Sequence, residues 1–231
     1  MKSDLFNTFF LGGLFLALFA AGELLYHKFN VKAELTRKFV HMGTGLLTML
    51  FPVMLGNHWL VLLLCSSFAV ILIASLRFNL LRSINAIDRQ SMGSIAYPIS
   101  VYCCYLAFDY FGEQYLFFYL PVLILAICDP IAALTGKTWP VGKYRIRSEN
   151  KSMMGSGMFF LSAFAVTIVL SLALQHPFST GVLVLHALAV AAISAFTEGV
   201  STKGSDNLTI PASVLAVMIG THFLLGNSHG N

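Results

Sequence analysis

Eight stretches of mostly apolar residues run almost end to end through this chain, at about 5–27, 39–56, 58–76, 93–111, 114–136, 153–175, 179–199 and 208–226. Roughly twenty such residues let a helix cross the hydrocarbon core of a bilayer, where every backbone polar group must be bonded internally. The pattern predicts an all-α polytopic bundle of about eight transmembrane helices, one integral membrane domain over residues 1–231. Composition agrees, with 57% hydrophobic and only 10% charged residues against about 25% charged in a soluble domain. A disordered chain, a nucleic-acid coat and an ordinary cytosolic enzyme are thereby excluded. The first stretch lacks a basic leader, since Lys2 is offset by Asp4, and it runs on to Tyr26, so it reads as a helix and not a signal peptide. Only Gly56, Asn57 and His58 separate the second and third stretches, which implies a tight hairpin.

The placement of the basic residues orients the bundle. Lys28, Lys32, Arg37 and Lys38 fall in one connection, Arg77, Arg82 and Arg89 in the next but one, and Lys137, Lys143, Arg145, Arg147 and Lys151 in a third; Lys203 follows in a fourth. The intervening connections around 57, 112 and 177 carry none, so 13 of the 14 basic residues lie on one side. The positive-inside rule makes that side cytoplasmic and puts both termini outside, in the inner membrane if the cell is bacterial. The net charge of +4 then reads as an orientation signal with no nucleic-acid partner implied. Four cysteines, Cys65, Cys103, Cys104 and Cys128, sit in apolar runs without CxxC or metal-ligand spacing and read as small apolar residues.

Ionisable groups inside spans are costly and mark candidate sites. Glu23 has His27 and Lys28 at helical spacing and reads as an ion pair, Asp109 as an interfacial carboxylate, and His186 and His222 as neutral hydrogen-bonded rings. The rest gather on the basic side. Glu34, Arg37, Lys38 and His41 in ELTRKFVHMGTG share one helix face. An ion-pair stripe would account for the first three, but His41 lies where the chain has turned apolar, and Gly43 and Gly45 beyond it permit close approach by a helix or a ligand.

Asp129 precedes Pro130 in CDPIAALTGKTWPVGK, which predicts a helix break where a carboxylate and free carbonyls suit a divalent cation; a cap on a restarted helix is the other reading. In ENKSMMGS, Lys151, Ser152, Gly155 and Ser156 are the types that hold phosphate at a helix start, although no Walker A glycines precede them. In TEGVSTKGSDNLTIP, Glu198 ends one span, while Asp206 and Asn207 open the last and would also serve as caps. Three separate segments thus bring Asp129, Glu198 and Asp206 to one membrane boundary beside surplus lysine and arginine. Carboxylates with substrate phosphates are the usual magnesium ligands, and cations clamp charge in phosphoryl transfer.

The ordered set ELTRKFVH, GSIAYP, DPIAALTGKTWPVGK, NKSMMGS and TEGVSTKGSDNLTIP resembles the CTP-dependent polyprenol kinase group, comprising phytol, farnesol and dolichol kinases and the yeast-type diacylglycerol kinase, which share a fold with phosphatidate cytidylyltransferase. The resemblance spans about 34–211. It implies a membrane enzyme that moves the terminal phosphate of a nucleoside triphosphate, commonly CTP, to a lipid alcohol at the cytoplasmic face. Asp129 matches the family's motif aspartate, Lys151 and Ser152 its Lys-Ser pair, and Asp206 and Asn207 its DN pair. Cys128 stands where a glycine usually precedes the aspartate, and Met154 stands where cytidylyltransferases carry a glutamate. The second departure, with the absence of the long terminal cytidylyltransferase signature, favours a kinase.

The expected arrangement has magnesium held by Asp129 with Asp206 or Glu198, and the phosphates positioned by Arg37, Lys38, Lys143, Lys151, Ser152, Gly155, Ser156 and Asn207. Asp129 or His41 would serve as base, and the tail would lie along 39–56, 93–111 and 114–136, with Tyr97 and Pro98 shaping the groove. Phytol, farnesol, longer polyprenols and diacylglycerol all present a hydroxyl on an apolar tail. A CDP-diacylglycerol synthase is the nearest rival, and a small ion-coupled transporter the rival of another class.

Overall fold

A computed structural model of the protein describes residues 2–78, 80–85, 92–147 and 149–226; Arg89 lies outside the described residues. Helix occupies all eight expected stretches: α1 (Lys2–His27), α2 (Ala33–Thr48) with α3 (Phe51–Met54), α4 (His58–Arg77), α6 (Gly93–Tyr110), α7 (Leu116–Leu123) running on into α8 (Asp129–Thr138), α9 (Met153–Ala173), α10 (Thr180–Val200) and α11 (Asp206–Gly226). A short α5 (Arg82–Asn85) precedes α6. Among the described residues six helices are long and apolar enough to cross a membrane: Asp4–His27, His58–Arg77, Leu116–Thr138, Met153–Ala173, Thr180–Val200 and Asp206–Leu225. The protein is a multi-pass helical membrane protein.

The two remaining stretches depart from the expected eight spans for local reasons. Pro52 sits at the start of α3, and lacking an N–H it stops the second stretch from forming one continuous helix. The other, α6, contains Pro98 and four tyrosines, which dilute its apolarity. Elsewhere side chains mark the starts: Asn57 Oδ1 accepts from Trp59 N at 2.8 Å, and Ser152 Oγ accepts from Gly155 N at 3.2 Å. One element was not foreseen in an all-α reading. The connection between α8 and α9 forms an antiparallel hairpin of β1 (Lys143–Ile146) and β2 (Glu149–Ser152), with Lys143 opposite Ser152 and Tyr144 opposite Lys151.

Two apolar clusters hold the bundle together. One packs Leu11, Phe15 and Phe19 of α1 against Val61, Phe68, Val101 and Cys104 of α4 and α6; the other packs Leu120, Ile124 and Leu125 against Phe159, Val190 and Ile210. Tyr97 and Leu215 touch both clusters. Glu23 has the structural part expected of it, pairing with His27 at 3.1 Å while its other oxygen accepts from Ser83 N at 2.8 Å, so α5 is tied across α1.

Close approach is built in at Gly45, where a Cβ would stand 2.2 Å from Ala126 Cβ and 3.5 Å from its Cα. Gly45→Val therefore pushes α2 off the helix that carries Asp129. Overpacking of this kind costs about 1–3 kcal/mol, and thermal unfolding in detergent should show a lower midpoint than Gly13→Val, where a Cβ meets nothing within 4 Å.

Candidate active site

The break expected at Asp129 is instead a widened turn. Residues Ile124–Cys128 are π-helical and join α7 to α8 without interruption, so Asp129 stands in the first turn of α8. Pro130 has no N–H to return to the turn before it. The Leu125 carbonyl, five residues earlier, accepts from His41 Nε2 at 3.2 Å. A carbonyl can only accept, so His41 carries a proton on Nε2, and in the neutral ring Nδ1 is left as an acceptor. His41 thereby ties α2 to the turn that aims Asp129, and its ring stands edge-on to Tyr97 with centroids 5.5 Å apart. Turns of this type recur at functional sites.

Asp129 opens onto a cavity of about 1010 Å³. Its walls come from the C-terminal halves of α1 and α4, the end of α10, the length of α8, α5, the N-terminal parts of α2, α6, α9 and α11, and the hairpin, so these segments gather on one side of the bundle. Every candidate residue from the sequence lines it: Arg37, Lys38, His41, Asp129, Lys143, Lys151, Ser152, Gly155, Ser156, Glu198, Asp206 and Asn207. Lys137 and Glu149 line it too and were not singled out as site residues, and so does Tyr97, which was expected to shape the groove.

Several of these side chains are engaged with one another. Lys151 Nζ donates to Glu198 Oε1 at 2.7 Å and also to the Glu198 carbonyl, with both side chains 12–13% exposed. This pair fastens β2 to the end of α10. Lys137 pairs with Glu34, and that bond holds the Glu34 carboxyl below its usual range. Burial lowers the Lys38 ammonium, with the Asp129 carboxylate working in the opposite direction. Arg37 Nε is buried without a hydrogen-bond partner among the described residues, as is the Tyr97 hydroxyl.

The start of α9 does not offer open amides to an anion. Met153 N and Met154 N donate to the carbonyls of Gly142 and Val141 at 3.0 and 3.3 Å, and Gly155 N donates to Ser152 Oγ. Ser152 is buried, with its hydroxyl donating to Gly136 O at 3.4 Å. Gly155 is there for contact: a Cβ would stand 2.9 Å from Ala132 O, so α8 and α9 cross closely at this point. Ser156 Oγ meets Tyr144 OH at 2.7 Å, which seats the hairpin on α9. Asn207 Nδ2 donates to Gly93 O at 3.0 Å, joining the starts of α11 and α6, and Asp206 Oδ1 accepts from Asn207 N at 3.0 Å. The turn before α11 is fastened on two sides, since Lys203 N donates to Glu149 Oε1 at 2.6 Å and Lys203 O accepts from Met92 N at 2.9 Å. Here Lys203 and Gly204 have φ of 56° and 80°, the left-handed conformation that a glycine adopts at no steric cost.

No group of three His, Cys, Asp or Glu side chains among the described residues converges closely enough to cage a metal ion. Glu198, expected as a ligand, is occupied by Lys151. Magnesium is commonly bound by one or two carboxylates plus substrate phosphates, and Asp129, half-buried and making no side-chain hydrogen bond among the described residues, suits that mode. The balance of charge points the same way. Lining residues include five Lys or Arg and five Asp or Glu, so a metal-bound triphosphate, which presents both signs, fits better than a bare polyanion.

A phytol kinase of Synechocystis sp. (strain ATCC 27184 / PCC 6803 / Kazusa) is 32% identical over 212 residues, which cover 91% of this chain and 89% of that protein. The chain belongs to the phytol kinase family. No protein-family model matches it, and no solved structure does. Membership makes this phytol kinase relative a phosphotransferase acting on a lipid alcohol, and its cavity is lined by both charged and apolar residues.

Proposed function

We infer that the protein transfers the terminal phosphate of a nucleoside triphosphate, CTP first, to the hydroxyl of a membrane isoprenoid alcohol at the cytoplasmic face, with phytol the leading acceptor. The observation that carries this reading is the mixed lining of the cavity. Arg37, Lys38, Lys143 and Asp129 line it, and so do Phe19, Val40, Leu72, Leu76 and Ile84. A soluble triphosphate and an apolar tail can therefore meet without either leaving its own phase. CTP follows from the motif resemblance, phytol from the relative's name, and the cytoplasmic face from the basic connections that surround the cavity.

Arg37 and Lys38 reach the phosphates from α2 and Lys143 from β1. Asp129 and Asp206 would hold magnesium that arrives with the nucleotide; when bound it neutralises phosphate charge. The acceptor proton passes to Asp129 or to His41 Nδ1. Because phosphoryl transfer goes through a loose transition state, position matters more than base strength. Ser152, Gly155 and Asn207 set the walls through the contacts described above.

The test is product analysis with purified protein, labelled CTP or ATP, and phytol, farnesol, a longer polyprenol or diacylglycerol. A phosphorylated alcohol and a nucleoside diphosphate are expected, whereas pyrophosphate release would mark a cytidylyltransferase and overturn the kinase. Chelation with EDTA should abolish transfer and added magnesium restore it. With so few protein ligands, magnesium alone should bind weakly by calorimetry and gain at least roughly tenfold in affinity once nucleotide is present.

A further inference from the structure

The polar cavity does not end at its apolar wall. It shares Phe19, Thr44, Leu72 and Tyr97 with a second, narrower space lined also by Phe15, Thr48, Phe51, Cys65, Phe68, Pro98 and Val101. The packing explains the slot: α1 lies on α2 and α4 lies on α6, while the backbones of α1 and α4 stand farther apart and meet through long side chains such as Phe15, Phe19 and Phe68. A crevice therefore runs down between α1 and α4, floored by α2 and α6. Along α4 its wall is Leu76, Leu72, Phe68 and Cys65 at helical spacing, roughly 16 Å at 1.5 Å per residue, or about half the thickness of the hydrocarbon core.

The slot has a polar mark at its mouth and an aromatic stop at its foot. Tyr97 lines both spaces, and its buried hydroxyl makes no well-formed hydrogen bond among the described residues, with the Thr44 and Thr48 side chains as its polar neighbours. Beside it, Thr44 and Thr48 spend their protons on the carbonyls of His41 and Gly45 at 2.8 and 2.7 Å, so their oxygens remain acceptors. At the foot, Phe15 packs on Phe68 with centroids 4.8 Å apart and on Phe51 at 5.9 Å. The whole of this second space amounts to about 40 Å³, little more than the ~30 Å³ share of one liquid water, so a tail entering from the larger cavity is stopped here.

We propose that the acceptor alcohol binds with its hydroxyl at Tyr97 and its tail in the slot between α1 and α4, and that Phe68, packed against Phe15, sets the tail length the enzyme prefers. This rests on the lipid-alcohol kinase reading. An isoprenoid tail, apolar and flexible, suits a wall built of leucine, phenylalanine and valine. The expected path along 39–56, 93–111 and 114–136 is thereby revised, because the slot is bounded by α1 and α4.

The test compares kcat/KM for geraniol, farnesol and phytol, alcohols of increasing length, in full-length protein reconstituted in nanodiscs. Phe68→Ala, or Phe68→Leu where alanine does not fold, should raise the phytol-to-geraniol ratio roughly tenfold, and Phe68→Trp should lower it by a similar factor. A ratio taken within one preparation is independent of the fraction folded. Tyr97→Phe should raise KM for every alcohol by one common factor and leave KM for the nucleotide unchanged. Length ratios that stay at the wild-type value in both Phe68 variants overturn the slot, and unchanged alcohol KM in Tyr97→Phe overturns the hydroxyl site. A wild-type protein that phosphorylates no alcohol would instead overturn the kinase reading.

Discussion

Asp129→Asn is expected to lower phosphoryl transfer by roughly 10³-fold or more, the scale on which single charged groups act in such reactions, while leaving the protein folded. The substitution keeps shape and removes charge. Its carboxylate makes no hydrogen bond among the described residues, so no network breaks with it. What it does remove is the main opposite charge beside the buried Lys38. If Asp129 serves the metal, the lost activity should come with loss of the nucleotide-dependent gain in magnesium affinity measured by calorimetry. Normal transfer in this variant would refute its assignment both as metal ligand and as base.

Lys151→Met should be as damaging to activity and much more damaging to the fold. Its ammonium is the partner of Glu198, and both are largely buried. Breaking a buried pair leaves an uncompensated charge at a cost of about 3–5 kcal/mol. The double variant Lys151→Met/Glu198→Gln removes that penalty, so thermal unfolding in detergent should return most of the way to wild type. Transfer should remain down by roughly 10²-fold or more if Lys151 also reaches the phosphates. Recovery of both stability and activity would leave Lys151 as a strut between β2 and α10 and nothing else.

Residue order and type carried much of this site on their own. Carboxylates and cations in an apolar chain are conspicuous, and the alternation of basic connections brings their segments to one side; all twelve candidate residues accordingly line one cavity. What single residues could not convey was which of them are already satisfied. Nothing in KSMMGS says that the first α9 amides bond to Val141 and Gly142, because those carbonyls arrive through a hairpin whose strands are only four residues each. Glu198 resembled a metal ligand for the same reason: its partner, Lys151, is 47 positions away. Tyr97 reads from the sequence only as a residue that shapes the groove, and the burial of its hydroxyl beside Thr44 and Thr48 is visible only in three dimensions.

The π turn before Asp129 has a geometric consequence for any reading of this helix. A turn that closes through five residues holds one more residue than expected, so everything after it is rotated by about 100° from the course of an uninterrupted α-helix. A helical wheel drawn from Leu116 consequently assigns Asp129 to the wrong face. Rotation of that kind cannot be produced or reversed by exchanging side chains, since it depends on the number of residues between Leu123 and Asp129. Chain length in this segment, more than the identity of its five apolar residues, sets the direction in which the carboxylate points.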